Sequence, residues 1–363
     1  MSTLESVEAR VYEVATDQPE ADGTLQWSKT IVVAVLARAG AAVGTGWTYA
    51  SGAAKTVIDD QLADAVVGRS AFDVPRVHEQ MVRACRNLGR PGVVSSAISA
   101  VDTALWDLKA RVLGIPLVDL FGRCRDDVPV YGSGGFTTYD DDDAVAQLSH
   151  WVSELGIPRV KIKIGESWGS RADRDLHRVE LARQVVGAGT ELYVDANGGY
   201  TAKQAVRLGR RFQDFGVSWF EEPVSSDDLA GLRLVREALD LDVAAGEYGY
   251  DEPYFDKMVR AEAVDCVQVD VTRCGGFTAW LRVAALAGAH GLEVSAHCAP
   301  NLHVPVAASV PNLRHVEYFH DHSRLDPMLF EGIGQPKHGA LVPGDAPGHG
   351  MTLRPEAEQF RVA

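Results

Sequence analysis

The chain has 363 residues, 46% of them hydrophobic, and 50 acidic against 35 basic side chains give it a net charge of −15. This length suffices for two domains with a large core, and an acidic chain without a basic run argues against a nucleic-acid or membrane partner. No apolar run reaches membrane-spanning length, and the five cysteines lack disulfide or zinc spacing, so we expect a soluble cytoplasmic protein with reduced thiols.

The first 125 residues predict an α+β domain. Residues 6–15 and 30–37 alternate or are rich in β-branched residues, as strands are, and the segment 37–40 (ARAG) is typical of a hairpin turn. Helical periodicity follows at 53–67, 72–88 and 93–113, and Gly114 is placed to end the last helix.

From residue 126 onward, short apolar runs alternate with helical stretches, which predicts a barrel of parallel strands. An open doubly wound sheet is the alternative on pattern alone. The helix after the eighth strand is doubtful, because Gly and Pro dominate after residue 330, and we expect the barrel at 126–325 and a segment at 326–363 that returns to the first domain. The strands are expected at 128–131, 159–164, 191–195, 218–221, 243–247, 266–271, 293–297 and 315–319, with seven helical segments between them.

Seven successive predicted strands carry an ionisable residue at or near their ends. Barrel strands are apolar on both faces, and active sites of this fold lie at the carboxyl ends of the strands. A single charged residue there would be an ordinary surface or cap residue, but seven in register predict one site. They are Lys163, Asp195, Glu221, Glu247, Asp270, His297 and Glu317.

Asp195, Glu221 and Glu247 come from adjacent strands, so their carboxylates can converge. Packed carboxylates repel one another unless a cation lies between them, and ligation by oxygen alone favours Mg²⁺, or Mn²⁺, over zinc. Glu222 is the alternative to Glu221, because adjacent strand residues point to opposite faces and parity alone does not choose between them.

Lys163 and His297 lie on strands on opposite sides of the predicted metal. Lys161 shares the face of Lys163 and is expected to lower its pKa by like-charge repulsion, which would favour a base. Asp270 is placed to hold the imidazole of His297 in one tautomer. Glu317, if protonated, could donate a hydrogen bond to a substrate carboxylate.

With these motifs the sequence resembles the mandelate racemase subgroup of the enolase superfamily over essentially its whole length. The motifs are KxK at 161–163, DAN at 195–197, EEP at 221–223, GE at 246–247, the pair of Asp270 and His297, and Glu317. The resemblance implies a modified (β/α)7β barrel with an N-terminal α+β capping domain that the C-terminal segment completes. It also implies Glu221 as the ligand, and assembly as a homo-oligomer. A muconate-lactonising enzyme would carry a lysine where this chain has Asp270.

In this family, loops of the capping domain close the site, and the corresponding stretches are 22–28 and 44–50. Trp27, Trp47 and Tyr49 are therefore expected to line the substrate pocket, with hairpin-core packing as the alternative. Asn197 and His303 are further expected contacts of a small carboxylate substrate. Cys298 is expected to point away from the site and to serve packing.

The resemblance implies abstraction, with Mg²⁺, of the proton α to a carboxylate through an enediolate intermediate. Dehydration of a sugar acid to a 2-keto-3-deoxy acid is the leading expectation: Lys163 or His297 takes the proton, and protonated His297 helps the β-hydroxyl leave. A racemase or epimerase of a 2-hydroxy acid and a cycloisomerase of an anhydro or lactone sugar acid are the alternatives. A non-catalytic sugar-acid-binding barrel should have lost one of these groups, and none is missing.

Overall fold

The computed structural model of the protein describes residues 2–363. Its N-terminal part begins with an antiparallel sheet of β1 (Ser6–Ala21), β2 (Gln26–Ala39) and β3 (Ala42–Tyr49), in that order. A hairpin turn connects β2 to β3, as expected, but it lies at 40–41 rather than 37–40, because β2 continues to Ala39, which pairs with Ala42.

The stretch 44–50 was expected as a capping loop, but all of it except Ala50 lies in β3. Its glycines suggest a loop, yet they serve close packing. A β-carbon added to Gly46 would lie only 2.4 Å from the carbonyl oxygen of Ala100 in the helix that covers this sheet. Glycine therefore allows strand and helix to approach closely here.

The helices of the first part are α1 (Ala53–Val57), a π-helical turn (Ile58–Leu62), α2 (Ala63–Val66), α3 (Val74–Ala84), α4 (Val93–Leu113) and α5 (Leu117–Phe121). The prediction for α4 is confirmed at both ends, and Gly114 ends it in the left-handed conformation at φ 70°. The helix is buried over most of its length because it packs between the sheet and the barrel.

The barrel is closed and parallel, as predicted, because the eighth strand pairs with the first, with Val316 beside Val130. An open sheet is thereby excluded. Its strands are β4 (Val128–Gly134), β5 (Arg159–Lys163), β6 (Glu191–Asp195), β7 (Val217–Glu221), β8 (Asp242–Ala245), β9 (Cys266–Val269), β10 (Glu293–Ala296) and β11 (Leu313–Phe319).

Seven helical connections join the eight strands, and a further helix follows the eighth strand where the sequence left one in doubt. The helices are α6 (Asp141–Ser149), a short turn α7 (Glu166–Gly169), α8 (Ala172–Val186), α9 (Ala202–Asp214), α10 (Leu229–Ala238), α11 (Glu252–Arg260), α12 (Gly276–Ala289), α13 (Pro300–Ala307) and α14 (His320–Leu329). None of them is long and apolar enough to cross a bilayer, and the same holds for every other helix of the described residues.

The C-terminal segment returns to the N-terminal sheet. It contains three two-residue strands, β12 (Phe330–Glu331), β13 (Ala340–Leu341) and β14 (Thr352–Leu353). The backbone N–H of Val362 donates to the carbonyl of Val11, and the N–H of Val11 donates to that of Ala363. The last residues therefore extend the edge of β1, and they tie the two parts of the chain together.

Candidate active site

Eight ionisable side chains meet at the carboxyl ends of the barrel strands. Strand pairing sets Lys163 beside Asp195 and Asp195 beside Glu221, so three neighbouring strands each present one residue. Because all strands of this fold end on the same face, one residue per strand is enough to assemble a site. The members, each at most 5% exposed, are Lys161, Lys163, Asp195, Glu221, Glu247, Asp270, His297 and Glu317.

Asp195, Glu221 and Glu247 form a cluster with the chemistry of a divalent-metal site, which we call the oxygen cluster. One ligand oxygen from each lies within 4.8 Å of those from the other two. Oxygen-only ligation suits Mg²⁺, and all three carboxylates are at most 3% exposed. Glu222, the alternative left open by parity, is not part of this cluster and borders another cavity.

Repulsion between buried acids appears in the pKa values of Glu221 and Glu222, whereas His297 and Arg273 outweigh the effect of burial on Glu247 and lower its pKa. Burial raises the pKa of Glu221 to about 8, and the charge of Asp195 adds to the rise against the opposing effect of Lys161. Burial and the charge of Glu247 raise the pKa of Glu222 well above its ordinary value. A divalent cation between the three ligands would relieve this repulsion, and the residues present therefore fit Mg²⁺.

Lys161 and Lys163 both point into the barrel from β5. Nζ of Lys163 lies 2.5 Å from Oδ2 of Asp195, and Nζ of Lys161 contacts Glu221. Burial lowers the pKa of Lys163, but Asp195, Glu247 and Glu221 together raise it by more, so the pKa stands above its usual range. Lys161 lowers the pKa of Lys163, as expected, but the raising effect of the nearby carboxylates outweighs it. A cation bound to Asp195 would weaken that raising effect.

His297 lies between Asp270 and the oxygen cluster. Its Nδ1 is 2.8 Å from Oδ2 of Asp270, and its Nε2 is 3.2 Å from Oε2 of Glu247. Burial lowers the pKa of His297, but neighbouring groups, among them the carboxylates of Glu247 and Glu317, raise it above the ordinary value. The imidazole is therefore expected to be protonated on both nitrogens at neutral pH. The contact of Nδ1 with Asp270 leaves Nε2 facing the oxygen cluster.

Arg273 belongs to the site but was not singled out in the sequence. Its Nη1 lies 3.2 Å from Oε1 of Glu247, and its Nε lies 3.4 Å from Oδ2 of Asp270. The guanidinium of Arg273 therefore lies between Glu247 of the oxygen cluster and Asp270, the acid that contacts His297. A signal was present, because Arg273 follows Asp270 by three residues in the loop after β9, at the end of the barrel where site residues gather.

Glu317 divides its carboxylate oxygens between two sets of partners. Oε1 accepts a hydrogen bond from Ser133 at 2.6 Å and lies 2.8 Å from Nζ of Lys161, whereas Oε2 accepts the backbone N–H of Cys298 at 2.9 Å. Burial raises the pKa of Glu317, but the charges of Lys161 and His297 outweigh burial and lower it. The condition for donation to a substrate carboxylate, a protonated Glu317, is therefore not met in this arrangement, and the group accepts hydrogen bonds.

A cavity of about 340 Å³ opens onto these residues between the barrel and the N-terminal sheet. Three of the five expected substrate contacts line it, Trp27, Tyr49 and Asn197. The indole of Trp27 donates to Glu20 at 2.8 Å, and Tyr49 stacks on His322 with 3.5 Å between ring centroids. Further lining residues are Asp22, Lys29, Thr30, Tyr248, Cys298 and Asp321.

Trp47 and His303 lie outside this cavity, so the expectation that they contact substrate does not match their positions. Trp47 is fully buried and stacks on Phe330 at 4.2 Å, beneath the C-terminal segment, whereas Tyr49 on the same face of β3 lies nearer its end. Nε2 of His303 accepts the N–H of Val271, and its Nδ1 donates to the carbonyl of Cys298 at 2.9 Å. His303 therefore holds two loops together.

Cys298 faces the site, contrary to the expectation that it packs away. Its Sγ lies 3.4 Å from Nε2 of His297 and 3.4 Å from Oε2 of Glu317. The cause is local: β10 ends at Ala296, and φ of Cys298 is 52°, so the alternation of a strand no longer applies. Burial raises the pKa of the thiol to about 12, which argues against a nucleophilic thiolate at neutral pH.

Two family models match the chain. Residues 6–122 match the N-terminal domain of mandelate racemase and muconate lactonizing enzymes, and residues 143–357 match an enolase C-terminal domain-like model. Among curated relatives, the L-talarate/galactarate dehydratase of Salmonella typhimurium is 30% identical over 320 residues, which cover 87% of this chain and 79% of that one. The 3,6-anhydro-alpha-L-galactonate cycloisomerase of Streptomyces coelicolor is 34% identical over 322 residues, or 86% of each chain.

Solved structures agree with these matches. A mandelate racemase/muconate lactonizing enzyme-like protein from Rubrobacter xylanophilus has a TM-score of 0.96 and 44% identity, and covers 99% of this chain and 100% of its own. The Salmonella dehydratase liganded with Mg and L-lyxarohydroxamate has a TM-score of 0.91 and 27% identity, over 100% of this chain and 93% of that one. Magnesium is thus bound in a relative of the same fold.

Proposed function

The chain belongs to the mandelate racemase/muconate lactonizing enzyme family of the enolase superfamily, and we propose that it dehydrates sugar acids to 2-keto-3-deoxy acids. One observation carries the proposal: a base and an acid stand at the two ends of the oxygen cluster. Lys163 contacts Asp195 at one end, and His297 contacts Glu247 at the other. A substrate bound over the cluster would lie between them.

In the proposed reaction Asp195, Glu221 and Glu247 hold Mg²⁺. When bound, the ion supplies positive charge that neutralises a substrate carboxylate and the further negative charge of the enediolate. This positive charge also allows a protein with a net charge of −15 to bind a negatively charged substrate. The convergence of these three buried carboxylates supports this ligand set.

Lys163 accepts the α-proton in this proposal. Its Nζ takes the proton from the carbon next to the carboxylate, and the C–H electron pair enters the enediolate. Lys163 must be neutral for this step, whereas Asp195 raises its pKa. A cation that shares Asp195 reduces that effect, so the ligand and the base are coupled through one carboxylate.

His297 supplies a proton to the departing hydroxyl. Asp270 occupies Nδ1 at 2.8 Å, which leaves the Nε2 proton free for the substrate. The enediolate electrons expel the β-hydroxyl, which leaves as water with this proton, and the resulting enol tautomerises to the 2-keto acid. The Asp270 contact supports an imidazolium at this position, whereas a cation on Glu247 would weaken the effect of that carboxylate on the pKa of His297.

The charges around the cavity favour a substrate with one carboxylate. Apart from the ligand Glu247, Asp22 and Asp321 are its acidic lining residues. Nη2 of Arg324 lies 2.8 Å from Oδ1 of Asp321 and offsets its charge, so Asp22 is the acid that a second substrate carboxylate would face, at a cost of about 1 kcal/mol or more and without an unpaired basic residue among the described lining residues. The basic residues already face carboxylates: Lys29 faces Glu13, Lys163 faces Asp195, and Arg273 faces Glu247 and Asp270.

A panel of five- and six-carbon aldonates and the matching aldarates, with Mg²⁺, tests the proposal by the 2-keto acid released. We expect turnover of aldonates, with kcat/KM for aldarates lower by about tenfold or more, equivalent to about 1.4 kcal/mol. EDTA and Lys163→Ala should abolish product. Silence across the panel from a folded, Mg²⁺-binding protein, or dehydration that survives in His297→Asn, would contradict the proposal.

A second candidate function is ring opening of an anhydro or lactone sugar acid, favoured by the 34% identity to the Streptomyces cycloisomerase. The same α-proton would leave, but a ring C–O bond would break and no water would be released. Mass spectrometry of the product distinguishes the two reactions, because cycloisomerisation conserves the substrate mass and dehydration lowers it by one water.

A further inference from the structure

We propose that His297, Cys298 and Glu317 form a second metal site, selective for a soft divalent cation of the Zn²⁺ type. Their ligand atoms Nε2, Sγ and Oε2 all lie within 4.8 Å of one another, and all three residues are buried. The proposed dehydration does not use the thiol of Cys298. The metal site stands independently of that reaction, and only its inhibitory effect rests on the proposed function.

The separations of the three ligand atoms match tetrahedral coordination. Sγ of Cys298 lies 3.4 Å from Nε2 of His297 and 3.4 Å from Oε2 of Glu317, and Nε2 lies 3.7 Å from that oxygen. Zinc–ligand bonds of about 2.0–2.3 Å at tetrahedral angles separate the ligand atoms by about 3.3–3.6 Å. One ion can therefore contact all three atoms after shifts of a few tenths of an ångström.

Neighbouring groups hold two of the ligands in the orientation that a metal site requires. Asp270 bonds Nδ1 of His297 and leaves Nε2 for an ion, which is the carboxylate–histidine arrangement often found behind zinc ligands. Ser133 and Lys161 occupy Oε1 of Glu317 and leave Oε2 on the side of the thiol. These contacts fix the ligands before any ion binds.

Ligand chemistry separates this site from the oxygen cluster. Thiolate and imidazole favour Zn²⁺ or Co²⁺, whereas Mg²⁺ prefers the oxygen ligands of the other cluster. His297 and Cys298 line the cavity, so an ion can reach them, and the cavity side leaves a fourth position for water. When the ion binds, the thiol loses its proton to form the metal–sulfur bond, Nε2 of His297 loses its proton to form the metal–nitrogen bond, both protons go to solvent, and nothing is oxidised or reduced.

Occupation of this site would inhibit the proposed dehydration. Nε2 of His297 cannot donate a proton while it is bonded to a metal ion. Inhibition by Zn²⁺ in excess Mg²⁺ should therefore be reversible by a chelator selective for Zn²⁺. The thiol would thus make the enzyme sensitive to soft metals while Mg²⁺ stays in place.

Titration with Co²⁺ in excess Mg²⁺ and without substrate tests the site. The expected result is one Co²⁺ per chain with a sulfur-to-cobalt charge-transfer band in the near ultraviolet, which the oxygen cluster cannot produce. Cys298→Ser should abolish the band and weaken Zn²⁺ binding by about 100-fold or more. Cys124→Ser, which removes the exposed cysteine, should retain both.

A band that is absent in the wild type, persists in Cys298→Ser or disappears in Cys124→Ser would overturn the proposal. An unchanged Mg²⁺-dependent thermal shift in Cys298→Ser controls for folding. Because the titration measures metal binding without turnover, its failure would refute the second metal site and would leave the proposed dehydration untouched. A protein that binds Co²⁺ through Cys298 but turns over no sugar acid would refute the dehydration and support the metal site.

Discussion

Replacement of Glu221 by glutamine is expected to remove most of the stabilisation that Mg²⁺ confers. Glutamine keeps the side-chain length and an oxygen that can accept the Trp219 indole N–H, now 3.0 Å from Oε2 of Glu221. It removes one of the three ligand charges. The change in thermal response therefore reports on metal ligation rather than on lost packing.

The magnitude follows from binding linkage. Mg²⁺ at 100 times its Kd stabilises the folded state by about 2.7 kcal/mol. An unfolding entropy of about 2.1 cal/mol/K per residue, over the 363 residues, gives about 0.76 kcal/mol/K for a single cooperative transition. The wild-type Tm should rise by about 3.5 °C. If the variant binds about 100-fold more weakly, the same Mg²⁺ adds about 0.4 kcal/mol, or about 0.5 °C.

Scanning calorimetry with and without Mg²⁺ measures these shifts, and Glu222→Gln is the matched control. Glu222 is the next residue in the chain and is equally buried, but it lies outside the oxygen cluster. We expect this control to keep the full response of about 3 to 4 °C. A response lost in Glu222→Gln and kept in Glu221→Gln would refute the ligand assignment.

Three further predictions concern single side chains. Asp270→Asn should lower kcat by about 10³- to 10⁴-fold, because the imidazole of His297 loses the acceptor that fixes its tautomer, while the Mg²⁺ thermal shift stays; an unchanged kcat would contradict this role. Burial lowers the pKa of His78 to about 4, below the unfolded value of about 6.5, so the free energy of unfolding should fall by up to about 3 kcal/mol as pH drops through that window. His78→Leu should flatten this fall in urea denaturation, and an unchanged slope would exclude His78 as its source. Asp22→Asn should improve kcat/KM for aldarates relative to aldonates by about tenfold, and an unaltered ratio would refute the charge argument.

The barrel and the oxygen cluster were predictable because both follow from the period of a strand. A charged residue at the end of an apolar strand is unusual, and β6 and β7 place Asp195 and Glu221 side by side once the barrel closes. In the same way, the helical spacing of apolar residues and the glycine at 114 gave α4 its correct ends. Patterns of this kind need only the chain itself and no knowledge of the packing.

The errors arise where packing or local backbone overrides the period. Gly44 and Gly46 suggest a loop, but they sit in β3 to let a helix approach. Cys298 turns into the site because its φ is positive just beyond β10, where strand alternation has ended. The ionisation of Glu317 depends on its contact with Lys161. These residues lie on β11 and β5, which are separated by β4 in the barrel, so the sequence pattern does not show that they meet.

Deuterium incorporation into substrate and product, followed by NMR in D2O with an aldonate and Mg²⁺, tests the central claim most directly. The claim is that Lys163 removes the α-proton and His297 completes the elimination. It predicts a 2-keto acid deuterated at C3 from the wild type, α-deuterated substrate without product from His297→Asn, and neither from Lys163→Ala. Exchange or product in Lys163→Ala, or exchange that survives removal of Mg²⁺ by EDTA, would contradict it.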